Sequence, residues 1–250
     1  LNRSGKIYFA SDFHLGAPDY AASREREKKV VDWLKSIRED VTELYLLGDI
    51  WDFWFEFGQV VPKGYTRLMG TLAEIRDSGV PIVFFGGNHD YWTYGYLEQE
   101  LGFEIHKKSI RRNLQGTECL IGHGDGLGPG EYDYKVMKRV LNSKPFEIAF
   151  KILHPDVGLG IANYFSRRSR RKNMKKDQQF LGEKEYLLQY CNEYLKSDPD
   201  VKYFIFGHRH LPLEIPLEGF ESIYYNIGDW IKYNTYGVME DGIFQLKSLE

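Results

Sequence analysis

The chain of 250 residues is short of cysteine, holding only Cys119 and Cys191. Their spacing fits neither a disulfide framework nor a metal pair, so both read as buried free thiols, with nothing pointing to an oxidising compartment. No stretch approaches the ~18–20 consecutive apolar residues of a membrane span. No apolar signal-peptide segment marks the first residues, so the expected address is the cytoplasm, a membrane surface included. Internal repeats and low-complexity tracts are lacking too. The net charge is only −3, so overall charge names no partner.

What the sequence does have is core material: 42% hydrophobic and 16% aromatic residues. That is enough for one large domain or one domain with an inserted piece. The charge is also unevenly spread. Residues 135–180 hold twelve Lys/Arg against three Asp/Glu, a local +9, leaving −12 for the rest. This asymmetry points to an anionic partner for the basic segment.

Strands are expected at 6–11, 43–48 and 80–86, alternating with helices at 23–38 and 66–78. Ser23 reads as the first helix's N-cap. The alternation predicts an α/β layout with parallel pairing. Short strands follow near 104–107, 109–114 and 117–122. Residues 131–153 read as helical apart from Pro145, "HPDVGLG" (154–160) as a loop, and 161–176 as a basic helix. A further helix is expected over 178–196, then strands at 202–206, 213–218, 220–227, 234–239 and 243–248. The pattern predicts a catalytic domain of residues 1–130 and 177–250, with a helical cap inserted at 131–176.

The main strands end in similar chemistry. "KIYFAS" leads to Asp12 and His14, "ELYLLG" to Asp49 and Asp52, "VPIVFFG" to Asn88, His89 and Asp90. "ECLIG" leads to His123 and Asp125, and "YFIFG" to His208 and His210. In open α/β sheets, sites lie at the carboxyl ends of strands. Gathering so many ionisable groups at one edge is costly unless bound cations compensate. Mixed carboxylate, imidazole and amide donors suit Mn²⁺, Fe or Zn²⁺ better than Ca²⁺ or Mg²⁺. Asp12, His14, Asp49, Asn88, His123, His208 and His210 exceed one ion's need, and two ions sharing Asp49 suit displacement at phosphorus.

The motifs "SDFHLG" (11–16), "LLGDIWD" (46–52), "GGNHDYW" (86–92), "GHGD" (122–125) and "FGHRH" (206–210) resemble, in this order, those of the calcineurin-like metallophosphoesterases. The resemblance implies a four-layer sandwich of two mixed β-sheets flanked by helices. It implies one metal on Asp12, His14, Asp49 and His210 and a second on Asp49, Asn88, His123 and His208, with Mn²⁺ the first choice of ion. His89 resembles the family's phosphate-contacting histidine, a proton donor to the leaving group. Within the family, "DFHLG", "HGDGLGPGEYDYKVMKR" (123–139) and the insertion resemble the UDP-2,3-diacylglucosamine hydrolases of lipid A synthesis. That likeness implies substrate contacts from Asn88, His89, Glu131, Ser169, Asn173, Lys176 and His208. It further implies an amphiphilic nucleotide-lipid substrate rather than nucleic acid, met at the cytoplasmic face of a bacterial inner membrane. One departure stands out: the best-known of those hydrolases have Arg after the metal-binding Asn, where this chain has His89, the choice general to the wider family.

Overall fold

The computed structural model describes residues 5–130, 132–173 and 179–249, with backbone alone at 167 and 169–173. The first half contains β1 (Lys6–Ala10), α1 (Tyr20–Ser36), β2 (Val41–Leu46), α2 (Thr66–Asp77), β3 (Ile82–Phe85), α3 (Tyr96–Leu101) and β4 (Glu104–His106). Then β5 (Ile110–Leu114) and β6 (Thr117–Gly122) lead into three successive helices, α4 (Tyr132–Leu141), α5 (Lys144–Ile152) and α6 (Pro155–Asn173). A 3₁₀ turn at Gly182–Lys184 precedes α7 (Tyr186–Leu195) and β7 (Tyr203–Phe206). The chain closes with β8 (Pro212–Pro216), β9 (Ile223–Ile227), β10 (Thr235–Glu240) and β11 (Ile243–Ser248).

Two mixed sheets result, ordered β11-β10-β1-β2-β3-β4 and β5-β6-β7-β9-β8. The period-2 pattern of the strands explains the layering. Ile7 and Phe9 of β1 pack between the sheets with Tyr45, Val83, Ile121, Ile205 and Tyr225. Their neighbours Tyr8 and Ala10 belong to the layer holding Val30, Trp33 and Leu34 of α1 and Leu72 of α2. On the far side, Leu187, Cys191 and Leu195 of α7 cover Leu120, Phe204 and Tyr224. The order helix, sheet, sheet, helix is the expected four-layer sandwich. Both cysteines are buried and free.

Strands β1, β2 and β3 run parallel, as do β6, β7 and β9. Their carboxyl ends therefore share one edge of each sheet. The two edges meet: the His123 ring contacts the Leu47 carbonyl, and the His208 N–H donates to Asp12.

Several local expectations need correcting. Helix α1 starts at Tyr20, capped by Asp19, which accepts from the Ala22 N–H. Ser23 instead accepts from the Gly16 N–H at 2.7 Å and fixes the turn after the first motif. Residues 155–160 are helical rather than loop. Pro155 suits a first helical position because its missing N–H has no partner to lose there. Gly158 allows close packing, since a Cβ would lie 3.2 Å from the Phe150 ring. Pro145 likewise opens α5 behind its Ser143 cap instead of interrupting a helix. The helix expected from residue 178 begins only at Tyr186.

Candidate metal centre and active site

Eight predicted site residues come together at the shared edge. Asp49 is central. Its Oδ2 lies 3.6 Å from His14 Nε2 and 3.5 Å from His123 Nε2, so one oxygen faces imidazoles from both sheets. On one side, Asp12 Oδ1 is 3.6 Å from His14 Nε2 and 3.4 Å from His210 Nε2. On the other, His123 Nε2 is 3.3 Å from Asn88 Oδ1, and the His123 and His208 rings are 5.1 Å apart. Donor atoms of Asp12, His14 and His210 all lie within 4.8 Å of one another. The same holds for Asp49, His123 and His208, and for His14, Asp49 and His89.

The backbone is bent to achieve this. Asp12, His14, Asp49, His208 and His210 all have positive φ, between 43° and 69°. Such a conformation costs a non-glycine residue roughly 1–2 kcal/mol, and clustered strain of this kind marks functional sites. Glycine appears where even a methyl would not fit. At Gly207 a Cβ would lie 2.6 Å from Ser11 Oγ and 2.7 Å from Asp12 Oδ2, and at Gly87 it would collide with the Asp49 carboxylate.

Neighbouring groups orient the rings. His123 Nδ1–H donates to the Leu47 carbonyl at 2.6 Å, His89 Nδ1–H to the Asp52 carbonyl at 2.7 Å, and His210 Nδ1–H to Asp229 at 3.2 Å. Each donation turns Nε2 toward the site, where it offers a lone pair to a metal once it is deprotonated. Asp90 is fully buried and accepts from the N–H groups of Gly87 (2.8 Å), Asp49 (3.1 Å) and Ile50 (2.7 Å), tying together the loops after β2 and β3.

The electrostatics call for cations. Burial alone would lower the His123 and His14 pKa values, yet Asp49 holds His123 up to about 10, and Asp12 with Asp52 holds His14 up to about 9. Burial, then the positive charge of His123, pushes His208 down to about 3. Burial and the Asp49 charge push Asp90 up to about 7. Among the described residues, Asp12 Oδ1 and His14 Nδ1 are buried with no hydrogen-bond partner. Protons thus partly compensate a crowd of buried carboxylates, and a divalent cation would do so better. The donor set fits divalent metal.

The predicted substrate contacts in the insertion divide differently. Glu131 and Lys176 lie outside the described residues, and so do the side chains of Ser169 and Asn173, whose backbone is in α6. The same helix brings the buried Ser166 Oγ to 3.4 Å from both His89 Nδ1 and the Asp52 carbonyl. In "WDFWFEF", Trp51 and Trp54 enter the core, while Phe53, Phe55 and Phe57 pack against Phe150 of α5. Sequence reasoning missed Asp229, although "NIGDW" after β9 repeats the Gly-Asp strand ending of "LLGDIW".

The family model described as calcineurin-like phosphoesterase matches residues 5–212. A protein of Porphyromonas gingivalis named UDP-2,3-diacylglucosamine hydrolase is 36% identical, covering 98% of this chain and 98% of its own length. Proteins of the same name from Actinobacillus succinogenes and Yersinia pestis are 28% and 24% identical. They cover 90% and 84% of this chain and 92% and 85% of their own lengths.

Proposed function

The chain belongs to the calcineurin-like phosphoesterases, and on that premise we propose that it hydrolyses the pyrophosphate bond of UDP-2,3-diacylglucosamine. The products are UMP and 2,3-diacylglucosamine 1-phosphate. The observation that carries this reading is the near full-length match to the Porphyromonas gingivalis UDP-2,3-diacylglucosamine hydrolase, joined to a site built for phosphoryl chemistry.

In this reading Asp12, His14, Asp49 and His210 hold one divalent ion, Mn²⁺ as first choice, and Asp49, Asn88, His123 and His208 hold a second. When bound, such ions neutralise phosphate oxygens and lower the pKa of a water nucleophile. His89 keeps Nδ1 on the Asp52 carbonyl and uses Nε2 toward the substrate. Burial lowers its pKa, opposed by Asp49. An arriving phosphate anion raises it again and favours the protonated ring, which then gives its proton to the departing oxygen. Asn88 and His208 contact the phosphate beside it.

Residues 131–176 form the substrate-holding cap. Three stripes of apolar side chains on it face solvent: Tyr132, Val136 and Val140 of α4, Ile148 and Ile152 of α5, and Val157, Ile161, Tyr164 and Phe165 of α6. Lysines and arginines accompany them, and apolar stripes within a basic segment suit an anionic lipid surface. No helix among the described residues is long and apolar enough to cross a membrane, so attachment would be peripheral. Glu131, Ser169, Asn173 and Lys176 of the cap complete the contacts to the acylated glucosamine.

The test compares UDP-2,3-diacylglucosamine with unacylated UDP-N-acetylglucosamine at fixed detergent. The lipid is expected to be cleaved at least ~100-fold more efficiently, because remote binding energy positions the reacting phosphorus. Equal cleavage of both would redirect the assignment to a general nucleotide phosphoesterase.

A further inference from the structure

A cavity of about 370 Å³ adjoins the metal-ligand cluster where β3, β4 and β6 end, and His123 forms part of its wall. The cluster and the cavity therefore share a residue whose Nε2 faces Asp49. Lys107, Lys108 and Lys138 line it against the single carboxylate of Asp125, and Tyr190 adds an aromatic ring. The lining is organised. Lys138 reaches Asp125 Oδ2 at 2.5 Å, and Tyr134 donates to the same oxygen at 2.7 Å. Lys107 donates to the Thr93 carbonyl at 3.0 Å and stands 4.9 Å from the Tyr91 ring centre.

We propose that this cavity is the nucleotide subsite, holding the uridine and its phosphate while the acyl chains lie toward α5 and α6. The inference rests on the substrate reading above and assigns the substrate's direction across the site. Three observations carry it. The volume falls at the lower end of the roughly 300–1,000 Å³ of ligand pockets, the scale of one nucleotide. The surplus of lysines suits a phosphate and is wrong for alkyl chains. Helix α4 separates the two environments: Tyr134 and Lys138 turn to Asp125 and the cavity, while Val136 and Val140 are exposed. The apolar contacts of the insertion gather where Phe150 and Phe146 meet Phe53, Phe55 and Phe57, in a cluster whose rim of Tyr91 and Tyr94 borders Lys107. A pyrophosphate centred on the metals thus has a cationic, aromatic-walled cavity beside it, with the apolar cluster of α5 bordering Lys107 through Tyr91 and Tyr94.

The test uses the full chain loaded with Mn²⁺ and UMP as the probe. UMP affinity is measured by calorimetry for wild type, Lys108→Glu and Lys108→Ala, and 4-thio-UMP is photo-crosslinked to wild type and mapped by mass spectrometry. Lys108 is exposed, so both variants should fold. Reversing its charge should weaken UMP at least about tenfold, the loss of one close charge contact, and the alanine variant should fall between. Crosslinks are expected at residues 107–109 or at Tyr190. Unchanged UMP affinity in Lys108→Glu, or crosslinks confined to α5 and α6, would overturn the subsite. Release of UMP from UDP-2,3-diacylglucosamine, followed in parallel, keeps the two readings apart. A wild type that cleaves the lipid but fails the UMP tests loses only the subsite. One that passes them but does not cleave the lipid loses only the substrate assignment.

Discussion

Replacing Phe150 with alanine should loosen the insertion without unfolding the sheets. The ring is 7% exposed and sits 4.6 Å from Phe55, 5.7 Å from Phe146, 5.9 Å from Phe53 and 6.1 Å from Phe57. Removing a buried phenyl ring from a rigid core costs about 3–5 kcal/mol. Here the loss falls on the docking of α5, because the two sheets and their helices have separate apolar layers. At 1.4 kcal/mol per tenfold, ~3 kcal/mol lowers the docking equilibrium about 100-fold. Hydrogen exchange reads this directly: amides of α5 should exchange up to about 100-fold faster, while those of β1, β2 and β7 keep their protection. The kcat/KM for the lipid substrate should fall by at least about tenfold. Phe150→Leu, which keeps most of the volume, should lose far less. Wild-type exchange in α5 together with wild-type activity on the lipid would refute the role given to the aromatic cluster.

Three further outcomes are expected. Asp49→Ala should lose metal-dependent activity and bound metal together, because its Oδ2 faces imidazoles of both groups; two ions still bound with normal turnover would sink the shared-ligand arrangement. His89→Ala should keep its metal content yet turn over at least about 100-fold slower, the scale of a lost acid–base group; a collapse in metal content would make His89 a ligand instead. Metal binding should release protons at pH 7.5, since His14 and His123, at about 9 and about 10 in the metal-free site, must give them up to coordinate. Metal affinity should accordingly rise with pH up to about 9–10; calorimetry in buffers of different ionisation enthalpy measures the release, and none at pH 7.5 would contradict these values.

The candidate ligands were legible because the chemistry is local: a hydrophobic strand, a glycine, then Asp, Asn or His, repeated at Asp49, Asn88, His123 and His208. Two parallel sets of strands then bring those ends to one edge without further information. What was not legible depends on contacts distant in sequence. The motifs contain Asp52 and Asp90, but not the fact that Asp52 orients His89 through its carbonyl or that Asp90 clasps two loops. Asp229 acts through His210, 19 residues earlier in the chain. The antiparallel pairing of β10 with β1 joins the two ends of the chain, a register no local pattern encodes. In the insertion, the alternation of apolar and basic residues was visible, but which stripe faces solvent is settled by how α4 docks on Asp125 and α5 on Phe55.

The most direct measurement is a Mn²⁺ titration of metal-stripped protein, following bound metal and UMP release from UDP-2,3-diacylglucosamine in the same samples. A dinuclear pyrophosphatase should show no UMP release when stripped and full release as the second equivalent binds. Undiminished release from stripped protein, or two bound ions with no UMP formed, would contradict it.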